Sequence, residues 1–143
     1  MFRPETGSCA CGAVQFAADA RPKSVIHCHC GLCRRLSGAA FTTWVSYPRE
    51  AFNLSGEATL CRFEASPNTT RHFCRICGTH IYSLDVRYPD IVGVPAGIIS
   101  DALSRDPEGH YFVEYKASWY GIHDALPKLG SSSPSASMDE RSS

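Results

Sequence analysis

The chain has 143 residues, enough for one domain that buries about two-thirds of the surface its unfolded form exposes. Its 14 basic and 14 acidic side chains balance to a net charge of zero, which argues against recruitment to nucleic acid or to a membrane surface by overall charge. The amino terminus lacks the features of a signal peptide, and no run approaches the roughly 18 apolar residues of a membrane span, so we expect a soluble, cytoplasmic protein.

Short segments with strand character dominate the predicted elements. They combine alternating apolar positions with β-branched and aromatic residues, and turn sequences such as YPRE, LSGE, SPNT and RDPEG separate them. In chain order, the predicted strands cover residues 13–18, 39–47, 58–65, 69–74, 80–86, 91–99 and 110–117. One helix of about two turns, closed by a glycine, is predicted at residues 31–38. The expected fold class is therefore mainly β with one short helix.

The end of the sequence differs in composition from the rest. From Gly130 onward, the segment GSSSPSASMDERSS offers too few apolar side chains to offset the entropy lost on ordering. We therefore predict one domain over residues 1–129 and a disordered tail over residues 130–143.

Eight cysteines are the most informative feature of the sequence. Cytoplasmic thiols are kept reduced, so disulfide bonds are not expected, and metal binding or catalysis becomes the leading use. Cys61, in the segment TLCRF, stands alone and is typical of a small buried hydrophobic residue. The other seven occur in tight clusters, which packing alone does not explain.

Two of the clusters combine into one predicted metal site. Cys9 and Cys11 are two residues apart, so an extended segment places both thiols on one face. Cys74 and Cys77 have the C-x-x-C spacing of a zinc knuckle, and Gly78 suits the tight turn that such a pair requires. Together they supply the four thiolates of a closed, tetrahedral zinc site. We therefore predict a structural zinc ion that pins the start of the domain to a later hairpin.

A third cluster lies in the segment HCHCGLC, residues 27–33. Its thiols come from a loop and from the first turn of the predicted helix, so that one ion could bind all of them. Three protein ligands with one open position are typical of catalytic zinc. The three predicted ligands are Cys28, Cys30 and Cys33.

The fourth position of this second site has several possible occupants. A substrate could take it, which gives a catalytic site. His27 or His29 could close it, although sequence neighbours tend to point apart. Cys61 could also close it, which would make a second structural site. We assign neither histidine a catalytic role, since a histidine beside a metal loop is more often packed, solvated or hydrogen-bonded to a ligand.

Two basic residues directly follow the third cluster. Arg34 and Arg35 would project from the short helix near the metal, where they could offset the charge of the thiolates or bind a substrate carboxylate. Adjacent residues of a helix face different directions, so at least one of the two is expected to be solvated. Three aromatic residues on the next predicted strand could wall a cleft or fill the core: Phe41, Trp44 and Tyr47.

Five segments together resemble a known family over roughly residues 7–120. They are GSCACGAV, CHCGLCRRLSG, FTTWV, RHFCRICGTHIY and ASWY. In these segments the sequence resembles the glutathione-dependent formaldehyde-activating enzyme family, also called the centromere protein V/GFA domain. The resemblance implies an Mss4-like fold, built from small antiparallel sheets around a zinc ribbon.

The resemblance also implies roles for the cysteines. The implied structural zinc ligands are Cys9, Cys11, Cys74 and Cys77. The implied catalytic zinc ligands are Cys28, Cys30 and Cys33. Cys61 is left outside both sites. The activity implied by the family is the formation of S-(hydroxymethyl)glutathione from glutathione and formaldehyde, which is a carbon–sulfur lyase reaction.

The charge of a three-cysteine zinc site indicates what it can do. Zinc bound by three thiolates carries about one net negative charge, so it polarises carbonyl groups weakly. It is better suited to hold an incoming thiol as a thiolate. We therefore expect a zinc-dependent lyase-type enzyme with two zinc ions, in which glutathione or another small thiol binds the second zinc and adds to formaldehyde or a related aldehyde.

An alternative function is a non-catalytic zinc module that binds protein or nucleic acid. Several arginines could form a local basic patch for such a partner: Arg34, Arg35, Arg62, Arg71 and Arg75. Proteins that bind nucleic acid usually have an excess of basic residues, and this chain has none, so nucleic acid is the less favoured partner.

Overall fold

The computed structural model describes residues 3–130. Within this range the chain forms ten short strands, one α-helix and four 3-10 turns. The strands are β1 (Glu5–Ser8), β2 (Gln15–Ala18), β3 (Ser24–Cys28), β4 (Thr42–Pro48), β5 (Phe52–Ser55), β6 (Leu60–Glu64), β7 (Thr69–Cys74), β8 (His80–Asp85), β9 (Ile91–Pro95) and β10 (His110–Tyr111). The helix α1 spans Gly31–Ser37, and the 3-10 turns span Arg49–Ala51, Glu57–Thr59, Ala96–Ile98 and Val113–Tyr115. The prediction of a mainly β fold with one short helix is confirmed.

The strands form two sheets. The smaller sheet has the order β1-β2-β5 and is antiparallel. The larger sheet has the order β10-β3-β4-β9-β8-β7-β6. Its neighbouring strands are antiparallel, except that β10 runs parallel to β3. Strand β10 pairs with the last residues of β3, where the third cysteine cluster begins. The two sheets are therefore largely antiparallel, as expected, and this short pair is parallel.

The main hydrophobic core draws on both sheets. Its fully buried members alternate along their strands with more exposed residues, as expected where one face of each sheet is covered. They are Phe16 and Ala18 of β2, Val25 of β3, Val45 and Tyr47 of β4, and Val92 and Val94 of β9. Tyr47 is therefore a core residue, which settles one of the three aromatic positions left open by the sequence.

A buried carboxylate joins the edge of the smaller sheet to this core. Glu5 of β1 is buried, and its Oε1 atom accepts a hydrogen bond from the Tyr47 hydroxyl. Its Oε2 atom accepts another from the Ser104 backbone N–H at 2.8 Å. Both carboxylate oxygens have partners, which is the condition under which a buried carboxylate is tolerated.

Three strands of the structure lie outside the predicted segments. The polar sequence of β1 lacks apolar alternation. The strand forms because Gly7 lets its backbone approach the backbone at Ile98 closely: a Cβ atom at position 7 would lie 2.2 Å from the Ile98 carbonyl oxygen. Strand β3 coincides with the start of the histidine and cysteine motif, which was interpreted as a loop. Strand β5 is only four residues long and overlaps the predicted turn LSGE.

The two predicted strands nearest the carboxyl terminus extend furthest beyond the strands that form. Strand β9 ends at Pro95 and a 3-10 turn follows, so the prediction over residues 91–99 is wrong in its second half. Strand β10 comprises only two residues, because Phe112 has a positive φ of 60° that breaks the extended backbone. By contrast, β7 has the bounds that the sequence predicted.

The helix ends as predicted. Gly38 follows Ser37 with a φ of 71°, and its N–H donates to the Arg34 carbonyl, so a residue without a Cβ atom caps the helix in the left-handed conformation. Within residues 3–130, no helix is long and apolar enough to cross a membrane. The predicted disordered tail lies outside the described residues, apart from Gly130.

Candidate metal centres and reaction cavity

The first two cysteine clusters come together in space. The thiols of Cys9, Cys11, Cys74 and Cys77 all lie within 4.8 Å of one another. The sulfur atoms of Cys9 and Cys11 are 3.6 Å apart, and those of Cys11 and Cys74 are 3.7 Å apart. Four thiolates around one ion with metal–sulfur bonds of about 2.3 Å would be separated by about 3.8 Å. The four sulfurs therefore fit a closed tetrahedral metal site.

Local turns position these four thiols. Gly12 and Gly78 follow the two cysteine pairs with φ values of 81° and 80°, a conformation that favours glycine. The Gly78 N–H donates to the Cys74 carbonyl at 2.8 Å, which closes the turn between Cys74 and Cys77. The Cys77 sulfur also lies 3.2 Å from the Thr79 hydroxyl. This hydrogen bond, together with nearby backbone N–H groups, lowers the pKa of Cys77 to about 5.

The third cluster is buried and comes from one segment of chain. Cys28 ends β3, Cys30 caps the start of α1, and Cys33 lies in its first turn. All three side chains are buried, and their sulfurs lie within 4.8 Å of one another. The Cys28 and Cys33 sulfurs are 3.4 Å apart, and the Cys33 N–H donates to the Cys30 sulfur at 3.3 Å. The three thiols therefore fit the donor set of one metal ion.

A cavity of about 130 Å³ opens onto this cluster. All three cysteines line it, together with polar and aromatic side chains from the middle of the larger sheet. The other residues of its wall include Trp44, Thr69, Arg71, Ser83, Asp85 and Phe112. A pocket that joins apolar walls to a few convergent polar groups is typical of a small-molecule site.

Two side chains of the cavity contact Cys33. The Trp44 indole N–H donates to the Cys33 sulfur at 3.4 Å, and Nη2 of Arg71 lies 3.9 Å from the same sulfur. Hydrogen bonds with the neighbouring cysteine thiols are the main cause that lowers the pKa of Cys33. The charge of Arg71 and the Trp44 N–H lower this pKa further, to well below the ordinary value, so Cys33 carries negative charge readily.

The two histidines of the HCHCGLC segment make hydrogen bonds with other parts of the protein. Nδ1 of His27 lies 2.7 Å from the Thr43 hydroxyl. Nε2 of His29 lies 2.9 Å from Nδ1 of His110, whose Nε2 lies 2.9 Å from a carboxylate oxygen of Asp124. Among the described residues, the groups of side chains that could hold a metal ion consist of cysteines and include neither histidine. That the histidines are neighbours of the site and not ligands stays a prediction.

Burial determines the charge of the inner histidine. His29 is fully buried, and burial, followed by the nearby His110, lowers its pKa to about 4. The ring is therefore neutral near pH 7. Phe41 packs against the rings of His27 and His29, with both centroid distances at 4.8 Å. Of the three aromatic residues on the predicted strand, only Trp44 lines the cavity.

Cys61 lies outside both groups of thiols. It is partly exposed on β6, where it pairs with Phe73 of β7, and neither candidate metal group includes it. The described residues therefore offer no fourth thiol to the three-cysteine cluster. That Cys61 binds no metal stays a prediction.

The arginines predicted to bind substrate lie at the edge of this site. Arg34 is partly buried, and its Nη1 donates to the Tyr115 carbonyl at 2.9 Å, whereas Arg35 is exposed. Neither is among the residues that line the cavity. Their role in substrate binding stays a prediction. The suggested basic patch does not include Arg71, which is buried, and Arg62 is paired with Glu64.

Arg71 is the residue of the cavity whose position the sequence analysis missed. It was grouped with surface arginines, but it is buried on the same face of β7 as Thr69, and both line the cavity. The alternation of the strand held a usable signal, since residues two apart share a face. His110 and Asp124 gave no comparable signal, because their contacts depend on the short parallel strand β10.

Known proteins resemble this chain over most of its length. Over residues 4–115 the sequence matches the family described as glutathione-dependent formaldehyde-activating enzyme. A relative from Halomonas elongata, whose name assigns it to the same family, is 32% identical over 132 residues, which cover 81% of this chain and 79% of the relative.

A solved structure shares the fold. The crystal structure of a Rhodobacter sphaeroides protein, a structural genomics target, matches with a TM-score of 0.59 and 21% identity, over 71% of this chain and 97% of that one. This likeness concerns the fold alone. The sequence match covers most of the chain, and the chain therefore belongs to the glutathione-dependent formaldehyde-activating enzyme family.

Proposed function

We propose that the protein adds a thiol, with glutathione as the leading candidate, to formaldehyde or a related aldehyde. We also propose that each of the two groups of thiols binds one zinc ion. In this reaction the thiolate sulfur bonds to the carbonyl carbon, the carbonyl π electrons move to oxygen, and that oxygen takes up the proton that the thiol lost. The reverse direction is a carbon–sulfur lyase reaction. The family supports glutathione and formaldehyde as substrates.

One observation carries the proposal: a group of three buried thiols faces a cavity. A tetrahedral site needs four ligands, and the described residues supply three here and four at the other group. When bound by Cys28, Cys30 and Cys33, zinc would supply an open position at which a substrate thiol is held as its thiolate. The cavity lies where that thiol must enter.

The other residues of the cavity suit a negatively charged sulfur. Trp44 and Arg71 both direct N–H groups at Cys33, so they stabilise charge on the thiol group that surrounds the open position. The apolar part of the walls lowers the local dielectric constant, which strengthens these interactions. Cysteines in the reduced state at both sites and a glutathione substrate also suit a reducing compartment, and we propose a cytoplasmic location on this basis.

The alternative, a non-catalytic zinc module, receives less support. The suggested basic patch loses Arg71 to the interior, and Arg62 is paired with Glu64 at 3.4 Å. A module that binds protein or nucleic acid through its surface also has no need of a buried group of thiols that faces a cavity. An electrophoretic shift assay with DNA and RNA at low salt distinguishes the two functions, and we expect no shift.

Exchange NMR with ¹³C-formaldehyde and glutathione tests the proposed function. The rate of exchange between free formaldehyde and its glutathione adduct should rise above the spontaneous rate when the protein is added. The Cys30→Ser variant should return the rate to the spontaneous value, whereas Cys61→Ala, which is outside both groups, should retain the effect. No rise above the spontaneous rate with protein that contains two zinc ions per chain would contradict the proposal.

A further inference from the structure

Arg71 is a buried cation without a carboxylate partner. Only 7% of the residue is exposed, and within residues 3–130 no carboxylate lies within ion-pair distance of its guanidinium group. Within the described residues, the guanidinium group of Arg71 makes one hydrogen bond, from Nη2 to the Cys33 sulfur. Its buried Nε atom has no hydrogen-bond partner there. A buried cation is costly unless it faces negative charge, and here the Cys33 thiol and a substrate in the cavity are the groups that can supply that charge.

The surroundings of Arg71 hold its guanidinium group at the wall of the cavity. Its central carbon lies 5.0 Å from the centre of the Trp44 ring, in a cation–π contact. Asp85, a carboxylate in the cavity wall, is engaged by Arg87, with an ion pair at 2.9 Å. Asp85 is therefore not available to neutralise Arg71. The guanidinium group therefore faces the three thiols and any ligand that enters the cavity beside them.

The size of the cavity restricts what can meet this guanidinium group. Pockets that enclose a drug-sized ligand measure about 300–1,000 Å³, and this cavity measures about 130 Å³. The cavity is smaller than such a pocket, so we expect the sulfur end of glutathione, and not the whole tripeptide, to enter it. In the adduct the sulfur bonds to the cysteine methylene carbon and to the hydroxymethyl carbon, and the hydroxymethyl carbon carries one oxygen. We therefore expect the carboxylates of glutathione to stay outside the cavity.

We propose that Arg71 is a catalytic residue that donates hydrogen bonds to the aldehyde oxygen, an inference that rests on the proposed function. As the sulfur–carbon bond forms, the carbonyl π electrons move to this oxygen, which becomes an alkoxide beside the guanidinium group. The alkoxide then takes up the proton released by the thiol, and the hydroxymethyl adduct results. In the reverse direction the hydroxyl loses its proton and the carbon–sulfur bond breaks. A fixed cation placed where charge develops lowers the barrier in both directions.

Binding measurements with a matched pair of ligands test this role without relying on turnover. S-(hydroxymethyl)glutathione, formed from glutathione in excess formaldehyde, and S-ethylglutathione differ only by a hydroxyl group in place of a methyl group. Isothermal titration should show that the wild-type protein binds the hydroxymethyl compound about tenfold more tightly, as expected for a hydrogen bond to a charged donor. Arg71→Met should abolish this preference, while its affinity for S-ethylglutathione changes less than about twofold.

Arg62→Met is the matched control, because Arg62 lies on the adjacent strand β6 with an exposed side chain. It should keep the full preference. An equal loss of affinity of Arg71→Met for both ligands would mean that Arg71 binds the peptide part, and a loss of zinc from that variant would mean that it only supports Cys33. Either result would overturn the proposal.

The wild-type comparison is decisive even if Arg71→Met does not fold. Equal affinity of the wild-type protein for the two ligands would overturn the role of Arg71 and leave the proposed function intact. Failure of the wild-type protein to bind glutathione or either derivative would instead contradict the proposed function itself.

Discussion

The two groups of thiols differ in origin, number and surroundings. The four-cysteine group joins two segments that are more than sixty residues apart, and two of its members are partly or fully exposed. The three-cysteine group comes from a single segment, is fully buried and faces a cavity lined by Arg71 and Trp44. The first group is complete and connects parts of the fold, whereas the second is incomplete and has room beside it.

This difference indicates which group the fold depends on. Ligands from distant segments come together only in the folded chain, so the free energy of metal binding at the four-cysteine group stabilises the domain directly. The three-cysteine loop is held by protein contacts instead: the helix α1, the pairing of β3 with β4 and β10, and the hydrogen bond between His29 and His110. We therefore expect the loss of the first metal to unfold the protein and the loss of the second to abolish only function.

The largest effect is expected for Cys74→Ser. Cys74 is fully buried, and a structural zinc ion contributes on the order of 10 kcal/mol, which is comparable to the whole stability of a small domain. The variant should be unfolded or should melt far below the wild type in circular dichroism. The control is Cys61→Ser, the same substitution on the adjacent strand β6, which should melt close to the wild type. An unchanged melting temperature of Cys74→Ser would show that this group is not structural.

Cys30→Ser should separate function from fold. The serine hydroxyl can replace the Cys30 thiol as the helix cap, since serine is a preferred residue at this position, so α1 should remain. Elemental analysis should show one zinc ion per chain in place of two, and titration calorimetry should show no glutathione binding, with the fold retained in circular dichroism. Unfolding of this variant to the same degree as Cys74→Ser would remove the proposed distinction between the groups.

His110→Ala tests whether protein contacts hold the three-cysteine loop. The substitution removes a fully buried ring and leaves Nε2 of His29 without its partner, and we expect a loss of about 2–4 kcal/mol in the free energy of unfolding. Asp124→Asn is the milder comparison, because an amide oxygen can still accept from His110 and the Asp124 side chain is 45% exposed. Equal stability of His110→Ala and the wild type in urea unfolding would show that the contact is dispensable.

The smallest effect is expected for Cys61→Ala. Its side chain is only partly buried and lies in neither group of thiols, so the free energy of unfolding should change by less than about 1 kcal/mol. Elemental analysis should still find two zinc ions per chain. Loss of one zinc ion would mean that Cys61 closes the second site, and the enzymatic function would have to be abandoned.

The sequence predicted the composition of both groups because short spacings limit where thiols can point. The pairs at 9 and 11 and at 74 and 77, and the three cysteines between 28 and 33, are each constrained within one turn or loop. The mainly β fold was equally accessible, because alternation and turn residues are local signals. Strands β1 and β5 escaped prediction since their stability comes from pairing with β2 and not from their own pattern.

The surroundings of the reactive group could not be predicted in the same way. The contact between His29 and His110 joins residues 81 positions apart, and it requires β10 to lie parallel to β3. The contact between Arg71 and Cys33 spans 38 positions and depends on the order of strands in the larger sheet. Nothing in the local sequence encodes that order. Arg71 was therefore interpreted as a surface residue, although it lines the cavity.

The central claim is that the three-cysteine group leaves one metal position for a substrate thiol. The most direct test is the absorption of the cobalt-substituted protein in the thiolate charge-transfer region as glutathione is added. The account predicts that this absorption increases in the wild type at millimolar glutathione, since each new sulfur–cobalt bond adds intensity, and that Cys30→Ser shows no such increase. An unchanged spectrum of the wild-type protein at millimolar glutathione would mean that the fourth position is already filled from within the chain, and would contradict the account.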